Sequence, residues 1–332
     1  QELTKRIEFL ETLLSDHDMI LEEVRKETLE IKKTYGDKRA TEINEQELQE
    51  FRREDIEPHV EVVVNISQKG YIKRIPSDIY RGQHRGGKGV RGMLTKDDDA
   101  IWHVLIADTH DLLLYFTDTG RVYASKVFEL YADSSRNTRG VPLFNVISIE
   151  EKEKAKAVLA VPNLQMDADI IMATRKGIIK RMPLRALVNM RKNGLNAMNV
   201  KPGDELVSVR LSTGEEEEII MASEQGLSIR FPLSQLPRRS RSAGGIIGMR
   251  LQPNDRVVGM DLVMEDARLL IVSKNGMGKL THLSKFRAQS RAGKGLIAYK
   301  ITDKTGPVAA AEVVVDSQEV FVITSKAIVF RT

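Results

Sequence analysis

The sequence predicts an all-β radial array of six blades preceded by one long N-terminal α-helix. Two observations carry this: a glycine-closed hairpin motif that recurs about every 50 residues from residue 61 onward, and an apolar seam of helical spacing ahead of it. Recurrence at that period with several short strands per unit marks an array in which each sheet buries its two faces against its neighbours.

The seam comes first. Leu3, Ile7, Leu10, Leu14, His17, Leu21, Val24, Thr28 and Ile31 follow one another at steps of four and three, with charged residues between them and no Pro or Gly. At 3.6 residues per turn these positions share one face, so a single helix of about nine turns is expected. It ends at Tyr35-Gly36-Asp37. His17 and Thr28 in the seam favour docking against helices of a larger body over a two-stranded coil. A charged stretch with a short helical segment at 45–53 then leads to Pro58. The expected division is residues 1–40 as the helix, 41–60 as a linker and 61–332 as the repeat array.

Each repeat is anchored by a turn. The turns read Ser67-Gln68-Lys69-Gly70, Thr117-Asp118-Thr119-Gly120, Thr174-Arg175-Lys176-Gly177, Ser223-Glu224-Gln225-Gly226, Ser273-Lys274-Asn275-Gly276 and Thr324-Ser325-Lys326-Ala327. Glycine in fourth place takes a positive φ without steric cost, as a tight hairpin requires. Apolar runs precede the turns at 61–66, 112–116, 170–172, 219–221, 269–272 and 320–323. A basic-ended strand follows, as in Ile72-Lys73-Arg74, Ile179-Lys180-Arg181 and Ser228-Ile229-Arg230, then a basic loop and a strand opening at glycine. Six anchors give six blades, the last incomplete because Thr332 lies five residues after Ala327.

Charge is divided along the chain. The formal net charge is +4, yet residues 1–57 hold 10 basic and 17 acidic side chains, leaving 41 basic and 30 acidic beyond them. A polyanion is the natural partner of the second part. The absence of cysteine excludes disulfides, thiolate nucleophiles and iron–sulfur clusters, and implies a cytoplasmic setting. No apolar run reaches the roughly 20 residues that span a bilayer, so no membrane association is expected. The six histidines are dispersed without metal-ligand spacing, so neither a metal nor a catalytic cluster is expected.

The basic loops carry the chemistry. The first contains Arg81, Gln83, Arg85, Gly86, Gly87, Lys88, Gly89 and Arg91; the second Arg136 and Arg139; the third Arg191 and Lys192; the fourth Arg238, Arg239 and Arg241; the fifth Arg287, Arg291 and Lys294. With the strand-end residues Lys73, Arg74, Lys180, Arg181 and Arg230 they form the expected DNA-binding set. Glycine lets the backbone approach phosphate oxygens, Arg supplies bidentate contacts and Lys a point charge. Five such loops in register would ring a rim. No recognition-helix or zinc-finger pattern appears and aromatics are only 5%, which leaves sequence-nonspecific backbone-and-shape binding of duplex DNA.

Gln83-His84-Arg85-Gly86-Gly87-Lys88-Gly89 resembles the gyrase A box of the bacterial DNA gyrase A family, departing only at His84. Thr109-His110-Asp111, Gly120-Arg121-Val122-Tyr123, Arg139-Gly140-Val141-Pro142 and Tyr35-Gly36-Asp37-Lys38-Arg39 extend the likeness across the chain. The resemblance implies a β-pinwheel of six blades that exchange strands, with residues 1 to about 40 ending a breakage–reunion core. It implies a non-catalytic DNA-wrapping part of an ATP-dependent type II topoisomerase that introduces negative supercoils, partnered by gyrase B in an A2B2 holoenzyme. ATP and Mg²⁺ would belong to other parts, leaving no cofactor here. Two alternatives are the C-terminal domain of a topoisomerase IV, binding DNA without strong wrapping, and a protein-binding β-propeller.

Overall fold

The computed structural model describes residues 1–37, 53–77, 99, 101–133, 138–150, 152–316, 321–323 and 329–331. The chain divides into two compact units, Gln1–Phe51 and Arg52–Thr332; most of the expected linker, and the helical segment expected at 45–53 apart from its last residue, lie outside the described residues.

In the first unit the expected helix is realised as two segments, α1 (Glu2–Ser15) and α2 (His17–Tyr35). Asp16 between them is extended, at φ −119° and ψ 113°, and its carboxylate accepts from the Asp18 N–H at 3.0 Å. An Asp that caps the following turn competes with helix continuation. No residue of either helix is buried, and the seam side chains Leu3, Leu14 and Ile31 are open to solvent.

The second unit opens with a single helical turn, α3 (Arg53–Ile56), and is otherwise built of short strands. The first repeat supplies β1 (Glu61–Ser67), β2 (Tyr71–Pro76) and β3 (Ile101–Asp108). The second supplies β4 (Leu112–Thr117), β5 (Arg121–Lys126), β6 (Val141–Pro142) and β7 (Ala155–Val161). The third has β8 (Asp169–Thr174), β9 (Ile178–Pro183), β10 (Leu195–Asn196) and β11 (Leu206–Ser212). The fourth has β12 (Glu218–Ser223), β13 (Leu227–Pro232), β14 (Ile246–Ile247) and β15 (Val257–Val263). The fifth has β16 (Arg268–Ser273), β17 (Gly278–His282), β18 (Leu296–Ile297) and β19 (Val308–Val314), followed by β20 (Phe321–Ile323) and β21 (Val329–Arg331).

Pairing exchanges strands between repeats. The sheet orders are β3-β1-β2-β6, β7-β4-β5-β10, β11-β8-β9-β14 and β15-β12-β13-β18. Each two-residue strand therefore completes the sheet of the preceding repeat, as when Val141 and Pro142 pair with Ile72 and Tyr71. The expected six blades are corrected to five. The fifth sheet is β17-β16-β19, and β20 and β21 pair only with each other among the described residues; the sixth anchor, at 324–327, lies outside them.

The core lies between successive sheets. In β4, Leu113 and Tyr115 face the first sheet with Val64 and Ile72, while Leu114 and Phe116 face the third with Ile170 and Met172. Alternation along a strand sends neighbours to opposite faces, and here both faces are buried. A burial of about 25 cal/mol per Å² of apolar surface makes these inter-sheet layers the main source of cohesion.

Candidate nucleic-acid interface

The hairpin glycines hold the exchanged segments. The Gly120 carbonyl accepts from the Ala197 and Met198 N–H groups at 2.9 and 3.0 Å, and the Gly226 carbonyl accepts from Ala298 and Tyr299 at the same distances. The second to fifth basic loops thus end by crossing to the sheet of the preceding repeat, which fixes the position of their ends.

The structure divides the expected DNA-binding residues into two groups. The strand-end cations lie beneath the loops. Lys73 is fully buried and its Nζ donates to the Thr138 carbonyl at 2.8 Å and hydroxyl at 3.1 Å. Desolvation lowers its ammonium pKa, with Asp133 opposing. Lys180, also buried, donates to the carbonyls of Ala197, Arg241 and Ala243 at 2.6, 2.8 and 2.7 Å. Arg74 donates to Glu57 at 2.7 Å and to the Leu130 carbonyl at 3.3 Å. Arg181 pairs with Asp169 and Glu215, both at 2.6 Å. Arg230 pairs with Glu218 and donates to the carbonyls of Leu283 and Phe286 at 2.9 and 3.3 Å. All five thus bond protein acceptors: the two lysines brace loop segments from below, and the three arginines pair with carboxylates.

The loop residues differ. Arg191, Lys192, Arg241, Arg287 and Lys294 are exposed and make no ion pair among the described residues. Arg139 is exposed with its guanidinium 3.8 Å from the Tyr71 ring centroid, a cation–π contact that leaves its N–H edge free to donate. Arg239 is half-buried and its backbone N–H donates to the Arg181 carbonyl at 2.9 Å. Arg238 is partly spent, 3.0 Å from Asp169 and 2.8 Å from Glu215. Arg291 turns inward to the Ile247 carbonyl. Arg81, Gln83, Arg85, Gly86, Gly87, Lys88, Gly89, Arg91 and Arg136 lie outside the described residues.

Close backbone approach sets where these loops run. A Cβ on Gly245 would stand 2.6 Å from the Ile179 carbonyl, and one on Gly295 would stand 2.5 Å from the Ser228 carbonyl. Two further basic residues beside the loops lie outside the sequence-predicted set. Arg250 is exposed beside the fifth loop, its N–H donating to the Gly293 carbonyl at 2.9 Å. Lys279 donates to the Ala298 carbonyl at 2.8 Å, and its place three residues after a hairpin glycine, shared with Lys73 and Lys180, was the available signal.

His59, Asp108 and His110, dispersed in sequence, do come together, with ligand-type atoms within 4.8 Å of one another. The His59 Nδ1–H faces Asp108 at 2.9 Å, and His110 Nε2 faces the Glu54 carbonyl at 2.9 Å. The two rings stack with centroids 3.7 Å apart and planes at 19°. The stacked rings and their hydrogen bonds make the cluster a clasp. With the Thr109 hydroxyl donating to the Pro58 carbonyl at 2.6 Å, it ties the segment entering β1 onto the end of β3.

Fold and surface together define a strand-exchanging, propeller-like repeat array that carries unpaired cations on successive loops. The comparisons with known proteins agree. The family model described as DNA gyrase C-terminal domain, beta-propeller, matches residues 62–108, 111–162, 168–213, 217–264 and 267–314, five repeats. This chain belongs to the DNA gyrase A C-terminal domain family. DNA gyrase A of Dehalogenimonas lykanthroporepellens is 37% identical over 331 residues, covering 100% of this chain and 40% of that protein. DNA gyrase A of Staphylococcus epidermidis is 38% identical over 333 residues, covering 99% of this chain and 37% of that protein. The chain thus spans about two fifths of the length of these relatives. A solved DNA gyrase A C-terminal domain superposes with a TM-score of 0.71 at 26% identity, covering 82% of this chain and 88% of its own. The C-terminal domain of a DNA topoisomerase IV superposes at 0.66 and 23% identity, covering 83% and 84%, a likeness of fold.

Proposed function

We propose that this chain binds double-stranded DNA through its basic loops and bends it around them, as the DNA-wrapping part of a gyrase-type topoisomerase. The recurrence of exposed, unpaired Arg and Lys at the same place in successive repeats carries this reading: Arg139, Arg191, Lys192, Arg241, Arg287 and Lys294. The box residues Arg81, Gln83, Arg85, Gly86, Gly87, Lys88, Gly89 and Arg91, with Arg136, complete the set by sequence. Such contacts go to phosphates and read shape, so binding is nonspecific in sequence.

Bending about 40 base pairs through a half turn costs on the order of 10 kcal/mol, which phosphate contacts must offset. In the holoenzyme the wrap fixes the sign of the crossing offered for strand passage, so that negative supercoils result. The DNA-cleaving, Mg²⁺-binding and ATP-hydrolysing groups belong to other parts, with gyrase B as partner in an A2B2 assembly in the cytoplasm; this chain needs no cofactor for its share. The fold likeness to a topoisomerase IV C-terminal domain keeps a second reading, binding without strong bending.

A salt titration on an end-labelled duplex of about 40 base pairs, following affinity and end-to-end energy transfer together, tests this. With about ten cations engaged, log K falls against log salt with a slope of about −9, and the ends draw together. Arg85→Ala/Lys88→Ala is expected to lose the bend. Binding without bending selects the topoisomerase IV-like reading, and salt-independent affinity overturns the DNA reading.

A further inference from the structure

The third position after the hairpin glycine holds Lys73, Tyr123, Lys180, Ile229 and Lys279 in the five repeats. The Lys180 Nζ reaches three backbone carbonyls, 2.6 to 2.8 Å away. They come from two loops. Ala197 closes the basic loop of the third repeat, and Arg241 and Ala243 lie in that of the fourth. A neutral amine has two N–H bonds and a lone pair that would point at the third carbonyl; only the ammonium satisfies all three.

The side chain is 1% exposed, and none of its three acceptors is a carboxylate. On β8 its cross-strand neighbour is Met172, and β14 brings Ile246 and Ile247 to the other edge of β9. The charged group that acts on it is the Arg239 guanidinium, which has the same sign. A buried cation held by carbonyls from two segments is a joint between them, since moving either loop strands an acceptor.

We propose that Lys180 is a positioning residue which locks the third and fourth basic loops together, so that Arg191, Lys192 and Arg241 meet consecutive phosphates of one duplex. This rests on the DNA-binding reading for the duplex, but not for the lock itself. Desolvation, with Arg239 adding to it, brings the ammonium from the ordinary 10.5 down to about 8. Mild alkali therefore removes one of the three N–H donors and opens the joint.

The sign separates this role from a simply stabilising one. Between about 8 and 10.5 the unfolded chain carries a proton on Lys180 that the folded chain lacks, so this group makes global stability rise with pH. Loop order and DNA affinity fall over the same range. A lysine that only held the fold together would move both readouts the same way.

The experiment uses the full 332-residue chain, a 40-base-pair duplex at constant salt, and amide-exchange protection factors from pH 7 to 9.5. The Arg239 and Ala243 N–H groups, which donate to Arg181 and Ser240 at 2.9 and 3.1 Å, report on the fourth loop. Expected is a loss of their protection and a fall in affinity of about threefold to tenfold, the scale of one or two lost charge contacts, while the β8 and β9 amides stay protected. Lys180→Met is expected to bind weakly at every pH, with a salt slope shallower by about one to two. Wild-type affinity and loop protection in Lys180→Met overturn the proposal. If that variant does not fold, loop protection and affinity that stay level in the wild type from pH 7 to 9.5 overturn it alone. A wild type that binds no DNA at any pH sinks the DNA reading, and the exchange data still decide the lock.

Discussion

At the scale of single residues, the basic side chains have two jobs that composition does not separate. Lys73, Arg74, Lys180, Arg181 and Arg230 were legible as cations but not as groups bonded to protein acceptors, because a strand sends consecutive residues to opposite faces and the sequence shows charge without direction. Burial decides the matter, and it sets the energetics. Asp169 is 3% exposed and receives Arg181 at 2.6 Å and Arg238 at 3.0 Å. Asp169→Ala would leave the buried Arg181 guanidinium with the surface carboxylate of Glu215 alone. Breaking a buried pair from one side costs about 3 to 5 kcal/mol, so the midpoint of urea unfolding should fall sharply in this variant. Glu215→Ala, removing a solvent-exposed partner, should leave it almost unmoved; equal effects would show that the buried pair is not what the site depends on.

At the scale of elements, the hairpins were legible because a local signal fixes them: an apolar run, a turn and a glycine. The break at Asp16 was not, since an Asp within an apolar seam reads as a polar helix position until its carboxylate is seen capping Asp18. The exchange of strands reached the sequence reading through family likeness rather than spacing, because β6 pairs with a strand about 70 residues earlier and no local pattern names that partner. The glycines show how local and long-range demands add. Gly70 has a φ of +79° and open space where a Cβ would stand, so Gly70→Ala should cost about 1 to 2 kcal/mol, the penalty of the left-handed conformation. Gly226 has the same φ of +79°, but a Cβ there would meet the Tyr299 carbonyl at 2.2 Å. Gly226→Ala must therefore also displace the segment that follows β18, and a clearly larger loss is expected. Urea unfolding of the two variants side by side checks this, and equal losses would mean that the exchanged segment yields without cost.

At the scale of the whole molecule, the six anchors overcounted blades because a hairpin motif does not ensure the flanking strands that make a sheet, and β20–β21 has none among the described residues. The array still forms one cohesive unit, since each inter-sheet layer of core is shared by two repeats and no blade has a private core. The helical unit contributes none of those core residues. Residues 1–51 carry eight basic and fourteen acidic side chains, so removing them takes away net negative charge and none of the loop cations. Long-range attraction to DNA is screened over about 8 to 10 Å at moderate salt, whereas the salt slope counts the phosphates neutralised in contact. A chain beginning at Arg52 should therefore unfold in a single cooperative transition and bind the same duplex with a slope unchanged within about one. Its affinity should rise modestly at low salt and match the full chain at high salt. A slope shallower by several would place phosphate contacts in the helical unit, and a loss of cooperative unfolding would show that the blades depend on it.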